Sequence, residues 1–271
     1  MTRIALFQMT TGIDPAANAR ALVEAVEGAA AGGAEMLFTS EMSGLLDRDR
    51  ARASGHIVAE ADNPVLAAVR DAAARTSTWV HLGSLAVARE GDNRWANRGF
   101  VIDASGNIAA RYDKIHMFDV DLATGESWRE SNAYTPGEAV VTVATPVGRL
   151  GLAICYDLRF PALFEALGRQ QCDVIAIPAA FTVPTGAAHW HVLQRARAIE
   201  ASAFVVAAAQ VGQHEDGRAT YGHSLVIDPW GEVLTDMGGD AARVECVELD
   251  LARLAEVRAQ LPSLFNKRSI P

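Results

Sequence analysis

The chain has 271 residues, half of them hydrophobic and 21% charged, which is typical of compact globular proteins and excludes a disordered or fibrous chain. Its formal net charge of -9 repels an extended phosphate backbone, so nucleic acid is not an expected partner. No apolar stretch approaches the roughly 18 residues of a membrane span and no signal-peptide pattern is present, so we expect a soluble chain without membrane contact.

The three cysteines, Cys155, Cys172 and Cys246, have no CxxC spacing. An odd number of cysteines in a long chain argues against a disulfide framework and against a zinc knuckle. This cysteine usage favours a reducing, cytoplasmic setting.

The first half of the chain alternates predicted strands and helices. Apolar runs predict strands over residues 3–9, 35–39 and 79–87, and periodic stretches predict helices over 16–31 and 65–75. Glu41 directly follows the second strand, at the edge of the sheet where α/β folds gather ligands. Glu41 is therefore the first candidate site residue.

Two hairpins break this alternation. Residues 99–103 and 107–112 are predicted strands on either side of a glycine-containing turn. Residues 224–228 and 232–235 predict a second hairpin of the same kind later in the chain. The order of strands and helices before the second hairpin also repeats that of the first half. The sequence therefore predicts an internally duplicated fold.

Two duplicated units of this kind predict two mixed sheets, with helices on one face of each sheet and the other faces in contact. The expected α/β architecture is a four-layer α-β-β-α sandwich, and no linker divides residues 1–271 into separate domains. A helix is predicted over 249–260, and residues 262–271 form a tail. Because the tail carries Leu264 and Phe265, we expect it to dock, with another subunit as one candidate surface.

Cys155 stands between a predicted buried strand, residues 150–154, and a helix opened by Pro161. A strand-to-helix turn presents its side chain at the rim of a sheet, near backbone N–H groups that stabilise a thiolate and an oxyanion. The alternative is a structural cysteine, because free cysteine is among the most buried residue types.

Lys114 lies directly after the first hairpin, in the run YDKIHMFD. Taken singly, it is most simply a surface lysine. However, Glu41, Lys114 and Cys155 each stand where a predicted strand ends, and the duplicated fold brings such ends together. A convergent carboxylate, ammonium and thiol form a complete set for acyl transfer.

These positions carry a resemblance to a known family. The chain resembles the nitrilase superfamily of carbon-nitrogen hydrolases, whose Glu-Lys-Cys triad corresponds to Glu41, to Lys114 and to Cys155 in GLAICYDLRFP. Further matches follow in order along the chain: ESN and TPG within 130–137, AFTVPTG (180–186), HW (189–190), RARAIE (195–200), YGHS (221–224) and DPWG (228–231). Within the superfamily the chain is most similar to the deaminated glutathione amidase branch.

The chain departs from that branch in two places. His191 stands where members usually carry a glutamate, which puts any contact of that glutamate in doubt. The tail also stops early, at Ser269-Ile270-Pro271. The resemblance implies a homodimer or higher homo-oligomer, and the short tail weakens that inference.

The resemblance also implies a mechanism that needs a small-molecule amide and water, with no cofactor. Glu41 takes the thiol proton of Cys155 and later activates water, while Lys114 and the backbone N–H of Tyr156 face the developing oxyanion. Glu130 corresponds to a second family glutamate that holds Lys114 or the substrate. A loop carboxylate without such a role is the alternative for Glu130.

Four further residues are candidates for substrate positioning: Arg159, Phe181, Thr182 and Thr185. The Arg159 guanidinium suits a substrate carboxylate, while a salt bridge with Asp157 or Glu165 is an equally open alternative. The other three lie in a Pro/Gly loop that is expected to line the pocket, although Thr182 is also placed to cap the next helix.

The histidines are weaker candidates. His116, close to Lys114, is an alternative base of a Cys-His hydrolase, although a packed histidine beneath the hairpin is the simpler interpretation. His189 and His191 do not share a helix face and have no carboxylate at metal spacing, so we expect no metal site there.

The sequence therefore predicts an amidase that hydrolyses a small linear amide bearing carboxylates, through a thioester on Cys155. ω-Amidase, N-carbamoyl amino acid amidohydrolase and nitrilase are alternatives of the same fold. A scaffold or binding protein without turnover is the alternative from another class. The complete set of Glu41, Lys114 and Cys155 argues against it, because packing alone needs no convergent reactive groups.

Overall fold

A computed structural model describes residues 1–123, 125 and 127–268. Its α-helices are α1 (Pro15–Ala31), α2 (Arg50–Ser54), α3 (Pro64–Thr76), α4 (Pro161–Arg169), α5 (Val183–Ala201), α6 (Ala252–Gln260) and α7 (Ser263–Asn266). Its strands are β1 (Thr2–Gln8), β2 (Met36–Thr39), β3 (Trp79–Ala88), β4 (Trp95–Ile102), β5 (Ile108–Asp113), β6 (Asp119–Asp121), β7 (Ser127–Arg129), β8 (Thr142–Thr145), β9 (Gly148–Leu152), β10 (Val174–Ala176), β11 (Phe204–Ala207), β12 (Val211–Gln213), β13 (Ala219–Tyr221), β14 (Leu225–Ile227), β15 (Val233–Asp236) and β16 (Arg243–Leu249). Within the described residues, none of the helices combines the length and the apolar character that crossing a membrane requires.

The main strands form two six-stranded mixed sheets of matching order. In the first sheet, β16-β1-β2-β3-β4-β5, strands β1 to β3 are parallel and the next two continue antiparallel. The second sheet, β15-β14-β11-β10-β9-β8, repeats this with β9 to β11 parallel and β14 and β15 antiparallel. The predicted duplication is confirmed. One pair of equivalent edge strands comes from different parts of the chain. β8, at the edge of the second sheet, directly precedes its partner β9, whereas β16, at the equivalent edge of the first sheet, comes from the C-terminal part of the chain and pairs with β1.

The inner faces of the two sheets meet in an apolar layer. Successive residues of a strand point to opposite faces, and β1 divides its side chains in this way. Ile4 and Leu6 share a buried cluster with residues of β9 in the other sheet. Ala5 and Phe7 instead cluster with residues of α1 and α3, which cover the outer face of the first sheet.

Helices α4 and α5 cover the outer face of the second sheet. Gly151 of β9 faces this layer, because a Cβ atom at Gly151 would lie 2.9 Å from the side chain of Leu167 in α4. Trp190 of α5 is fully buried in the same cluster. The molecule is therefore a four-layer α-β-β-α sandwich, as the sequence predicts.

The first residues of two helices are set by local contacts. Helix α5 starts at Val183, because Thr182 occupies its N-cap position and a proline in the first turn removes an N–H that would have no helical partner. Helix α6 starts at Ala252 rather than at Leu249, because Leu249 is still paired with Thr2 in the first sheet.

The described part of the C-terminal tail docks on its own chain. Leu264 lies against α4, where a Cβ atom at Gly168 would be 3.0 Å from the leucine side chain. Lys267 pairs with Glu165 of the same helix. The other apolar side chain of the tail, Phe265, is 74% exposed, so docking of the tail on another subunit stays a prediction. Residues 269–271 lie outside the described residues.

His81 of β3 is a buried imidazole beside Phe38, and its Nδ1 has no hydrogen-bond partner among the described residues. Burial lowers the pKa of His81 from its ordinary value of 6.5 to about 3. Between these values the unfolded chain binds a proton that the folded chain does not bind. Burial of neutral His81 therefore does not reduce the free energy of unfolding above pH 6.5. As the pH falls below 6.5, the free energy of unfolding decreases, because the unfolded chain is stabilised by protonation of His81.

We expect His81→Phe, which keeps an aromatic ring in this position, to lose less stability on acidification than the wild type. Each pH unit below the pKa of His81 in the unfolded chain costs the wild type about 1.4 kcal/mol of unfolding free energy. From pH 6.5 to pH 5 the wild type should therefore lose about 2 kcal/mol more than His81→Phe. Urea unfolding at both pH values measures this shift. The exposed-site control His56→Ala should not produce it, and an unchanged difference for His81→Phe would contradict the assignment.

Candidate active site

Cys155 lies in the predicted turn between β9 and α4. A short 3-10 helix over Cys155–Arg159 makes the turn, and Pro161 then starts α4. The Cys155 backbone has φ of 48°, a left-handed conformation that non-glycine residues rarely adopt and that clusters at functional sites. Its N–H donates to the carbonyl of Pro178 at 2.9 Å, which ties the turn to the end of β10. Cys155 is only 8% exposed, so the thiol is more enclosed than a side chain on an open rim.

The buried carboxylate of Asp157 holds this turn in place. It accepts hydrogen bonds from the Tyr112 hydroxyl at 2.7 Å, from the Ile154 N–H at 2.9 Å and from the His116 N–H at 3.0 Å. His116 also contacts it through Nδ1 at 2.7 Å and stacks on Phe160 at 3.6 Å. The His116 imidazole is held by Asp157 and Phe160, and it is not among the residues that line the cavity with Cys155, so the Cys-His alternative lacks geometric support.

Glu41 follows β2 and is 4% exposed. Its Oε1 accepts hydrogen bonds from the Lys114 ammonium at 3.0 Å and from the Asn97 side-chain amide at 3.0 Å. Its Oε2 accepts one from the Ala180 N–H at 2.9 Å. Donors from three segments of the chain therefore fix the orientation of this carboxylate.

Lys114 joins two glutamates. Its buried ammonium donates to Glu41 and also to both carboxylate oxygens of Glu130, at 3.0 and 2.8 Å. Burial alone would lower the pKa of Lys114, but Glu130 and Glu41 raise it by more, so its pKa lies well above the usual value. Lys114 is therefore charged throughout the neutral range, and Glu130 is its partner rather than an isolated loop carboxylate.

The environment of Cys155 determines the protonation state of its thiol. Burial raises the pKa of Cys155 well above the usual value; the charge of Glu41 and a hydrogen bond to it raise the pKa further, while Lys114 lowers it. The resting thiol is therefore protonated and needs a base before it can act as a nucleophile. Glu41 is the carboxylate whose charge acts on this thiol, which makes it the candidate base.

An open cavity of about 230 Å³ reaches Cys155. Its lining residues are Phe118, Cys155, Tyr156, Arg159, Ala180, Phe181, Thr182 and Thr185. All of the predicted supporting residues except Glu130 thus line one cavity with the cysteine, and Glu130 contacts Lys114. The Tyr156 N–H lies in the first turn of the 3-10 helix, where N–H groups lack partners inside the helix.

The Arg159 guanidinium lies 5.4 Å above the ring of Phe181 and donates to Nδ1 of His189 at 3.3 Å. Neither Asp157 nor Glu165 forms a salt bridge with it, and within the described residues no other carboxylate does. The salt-bridge interpretation of Arg159 is therefore wrong. The charge stands on the cavity wall without an anionic partner from the described chain.

Thr182 lines the cavity and also occupies the N-cap position of α5. Its hydroxyl bonds to the Thr185 hydroxyl at 2.8 Å and caps no backbone N–H of the helix. Thr182 therefore lies at the cavity, as predicted, and also precedes the first residue of α5. Its hydroxyl is bonded to Thr185 and does not cap the helix.

Sequence reasoning missed three groups in this site. Asn97 of β4 donates to Glu41 and, at 3.2 Å, to Glu130. The Ala180 N–H orients Glu41, and Asp157 anchors the turn. A polar side chain within the apolar strand β4 and a carboxylate two residues after Cys155 were the available signals. A backbone N–H leaves no signal in the sequence.

The fold and this site together define a class of protein: a two-sheet α/β sandwich with a thiol, a carboxylate and an ammonium at one cavity. The family model described as carbon-nitrogen hydrolase matches residues 3–259. The chain belongs to this family.

Similar proteins extend this result. The deaminated glutathione amidase of Yersinia enterocolitica is 39% identical over 269 residues, which cover 98% of this chain and 93% of the relative. The protein of the same name from Homo sapiens is 35% identical, covering 98% and 82%. Among solved structures, the C. elegans NitFhit protein matches with a TM-score of 0.90 and 34% identity; the match covers 98% of this chain but only 65% of that one.

Proposed function

We propose that the chain is an amidase that hydrolyses a small linear amide bearing a carboxylate, with Cys155 as the nucleophile. One observation carries the proposal: the Glu41 carboxylate accepts a hydrogen bond from the Lys114 ammonium, and the charges of both groups act on the Cys155 thiol, which lines the cavity. These are the groups that acyl transfer through a thioester requires.

Acylation uses all three groups. Glu41 accepts the thiol proton, and the sulfur of Cys155 attacks the carbonyl carbon of the amide. The carbonyl oxygen becomes an oxyanion that accepts hydrogen bonds from Lys114 and from the Tyr156 N–H, each worth about 3 kcal/mol when well placed. Glu41 then donates the proton to the amide nitrogen, the C–N bond breaks, and ammonia or an amine leaves.

Deacylation uses the same groups, with water in place of the thiol as the nucleophile. The thioester carbonyl remains next to Lys114 and the Tyr156 N–H, and Glu41 is a carboxylate again. It accepts a proton from a water molecule, whose oxygen attacks the thioester carbon. The C–S bond breaks, Glu41 returns the proton to the sulfur, and a carboxylic acid leaves.

Arg159 and the relatives support the substrate class. A guanidinium on the wall of a cavity suits a carboxylate, because its parallel N–H groups match the two oxygens. Two relatives that match nearly the whole chain carry the name deaminated glutathione amidase. We therefore propose deaminated glutathione as the first substrate, with Phe181, Thr182 and Thr185 forming the rest of the binding surface.

A panel of small amides tests this proposal. We expect release of ammonia or amine from deaminated glutathione and weaker activity on matched amides without a carboxylate. Arg159→Met should raise KM for the carboxylate-bearing amides about tenfold to 100-fold and leave KM for neutral amides nearly unchanged, because a hydrogen bond to a charged group contributes about 1.5–3 kcal/mol. The control is Arg169→Met, on the outside of α4, which should change neither value.

The panel also separates the alternatives. Turnover restricted to carbamoyl amino acids or nitriles would replace the proposed substrate with another of the same fold. No hydrolysis of any amide by folded protein would favour the non-catalytic scaffold. An equal effect of Arg159→Met on charged and neutral amides would contradict the role of Arg159.

Organisation and setting belong to the same proposal. We propose that residues 1–271 form one catalytic domain that works as a homodimer or higher homo-oligomer, without nucleic acid or membrane as a partner. Val192 and Trp230 are 69% and 49% exposed, and an interface between copies of the chain would cover apolar side chains of this kind. Cys155, Cys172 and Cys246 are free thiols, which supports a reducing, cytoplasmic setting.

A further inference from the structure

Three metal-ligating side chains meet away from the cavity. His191 lies on α5, His223 precedes β14, and Asp236 ends β15. Nε2 of His191 is 2.9 Å from Oδ2 of Asp236. Nδ1 of His223 is 2.9 Å from Oδ1 and 3.1 Å from Oδ2 of the same aspartate. The three ligand atoms lie within 4.8 Å of one another. None of these residues lines the cavity at Cys155.

The spacing fits a transition-metal ion. Imidazole nitrogens and carboxylate oxygens bind Zn²⁺ at about 2.0–2.1 Å, which places tetrahedral ligand atoms about 3.3 Å apart. The two nitrogen-to-oxygen distances of 2.9 and 3.1 Å differ from this value by a few tenths of an ångström. The two imidazole nitrogens lie within 4.8 Å of each other, so side-chain rotations that bring them closer would convert the hydrogen-bonded cluster into a set of three ligands.

The surroundings hold the ligands in place. The His223 ring stacks on Tyr221 at 4.4 Å between centroids. Oδ1 of Asp236 also accepts the Gly238 N–H at 2.9 Å, which leaves Oδ2 for an ion. The side chains of His191, His223 and Asp236 are 34%, 26% and 33% exposed, so solvent can supply and complete the coordination.

We propose that His191, His223 and Asp236 bind one divalent transition-metal ion of the Zn²⁺ class, with the remaining coordination positions open to water. Two imidazoles and a carboxylate are a common ligand set for such ions. The expectation that the histidines of α5 lack a carboxylate partner is corrected here, because Asp236 comes from a distant strand. This inference does not depend on the proposed amidase activity.

The site would join α5 to the hairpin of β14 and β15. The carbonyl of His223 accepts a hydrogen bond from the Trp190 ring N–H at 2.7 Å, and Trp190 packs on Phe181 at 4.8 Å between centroids. A bound ion would thus fix two of the segments that back the cavity wall. Because the ion binds only the folded chain, it should raise the melting temperature.

The proposal is tested by titrating the tag-free full chain with Co²⁺ and recording its absorption spectrum. Zn²⁺ is then added to displace the bound Co²⁺. We expect saturation at one Co²⁺ per chain, with visible bands of a site of low coordination number and without the near-ultraviolet band of a thiolate ligand. His191→Ala and His223→Gln should each weaken binding at least about 100-fold, because losing even a partner of a ligand costs about 10- to 100-fold.

The control His56→Ala removes a histidine elsewhere on the surface and should bind as the wild type does. Zn²⁺ should also raise the melting temperature of the wild type but not of His191→Ala, and both proteins should melt alike without metal. The proposal is overturned if binding does not saturate near one equivalent, if it persists in both histidine variants, or if a thiolate band shows that Cys155 holds the ion.

Discussion

Cys155→Ala is expected to lower turnover by at least about 10⁴-fold, because Cys155 is the only thiol among the described residues that line the cavity and its sulfur forms the covalent intermediate. The melting temperature should remain within a few degrees of the wild-type value. Alanine is also a non-glycine residue, so the cost of the left-handed conformation at position 155 is unchanged. Ammonia release and thermal unfolding of the same preparation measure both quantities.

Cys246→Ala is the matched control for this substitution. Cys246 is a partly exposed free thiol on β16, paired with β1 in the first sheet, and its loss should leave turnover unchanged. If Cys155→Ala retained more than a few per cent of the activity, water would be attacking the amide directly. The thioester mechanism would then be wrong, whatever the fold.

Lys114→Met should reduce both activity and stability. The variant loses an oxyanion donor, which costs about 10²- to 10³-fold in kcat. It also leaves the buried carboxylate of Glu41 and the partly buried carboxylate of Glu130 without their cationic partner, and Asn97 then donates to two uncompensated charges. Removing one partner of a buried ion pair costs about 3–5 kcal/mol, so urea unfolding at pH 7 should show a loss of this size.

The double variant Lys114→Met with Glu130→Gln separates the two effects. It removes one of the two unpaired charges, so we expect it to recover a substantial part of the lost stability. Activity should not recover, because the oxyanion donor is still missing. Recovery of activity together with stability would mean that Lys114 acts only by supporting the fold.

The sequence predicts that Glu41, Lys114 and Cys155 lie close together because each follows the end of a predicted strand. Strand ends on one edge of a sheet converge, and the two similar hairpins indicated that the sheet was duplicated. The arrangement of the four layers follows from the same pattern. These features depend on local periodicity, which the amino-acid sequence displays directly.

Other parts of the site depend on contacts that local periodicity does not contain. Asn97 lies inside a strand, and only the register of β4 turns its amide towards Glu41. The His191, His223 and Asp236 cluster combines a helix, a loop and a strand end. The docking of Leu264 on α4 likewise depends on where the chain returns in space, and sequence alone left another subunit as a candidate.

The most direct test of the central claim is the intact mass of the wild-type protein, quenched in acid shortly after mixing with an amide substrate. We predict a transient mass increase equal to the acyl group, located on the peptide that contains Cys155 and absent from Cys155→Ala. Glu41→Gln should form neither this adduct nor product at the same rate, because Glu41 accepts the thiol proton before the sulfur attacks. Product formation by the wild type, with no acyl adduct on Cys155, would contradict the account.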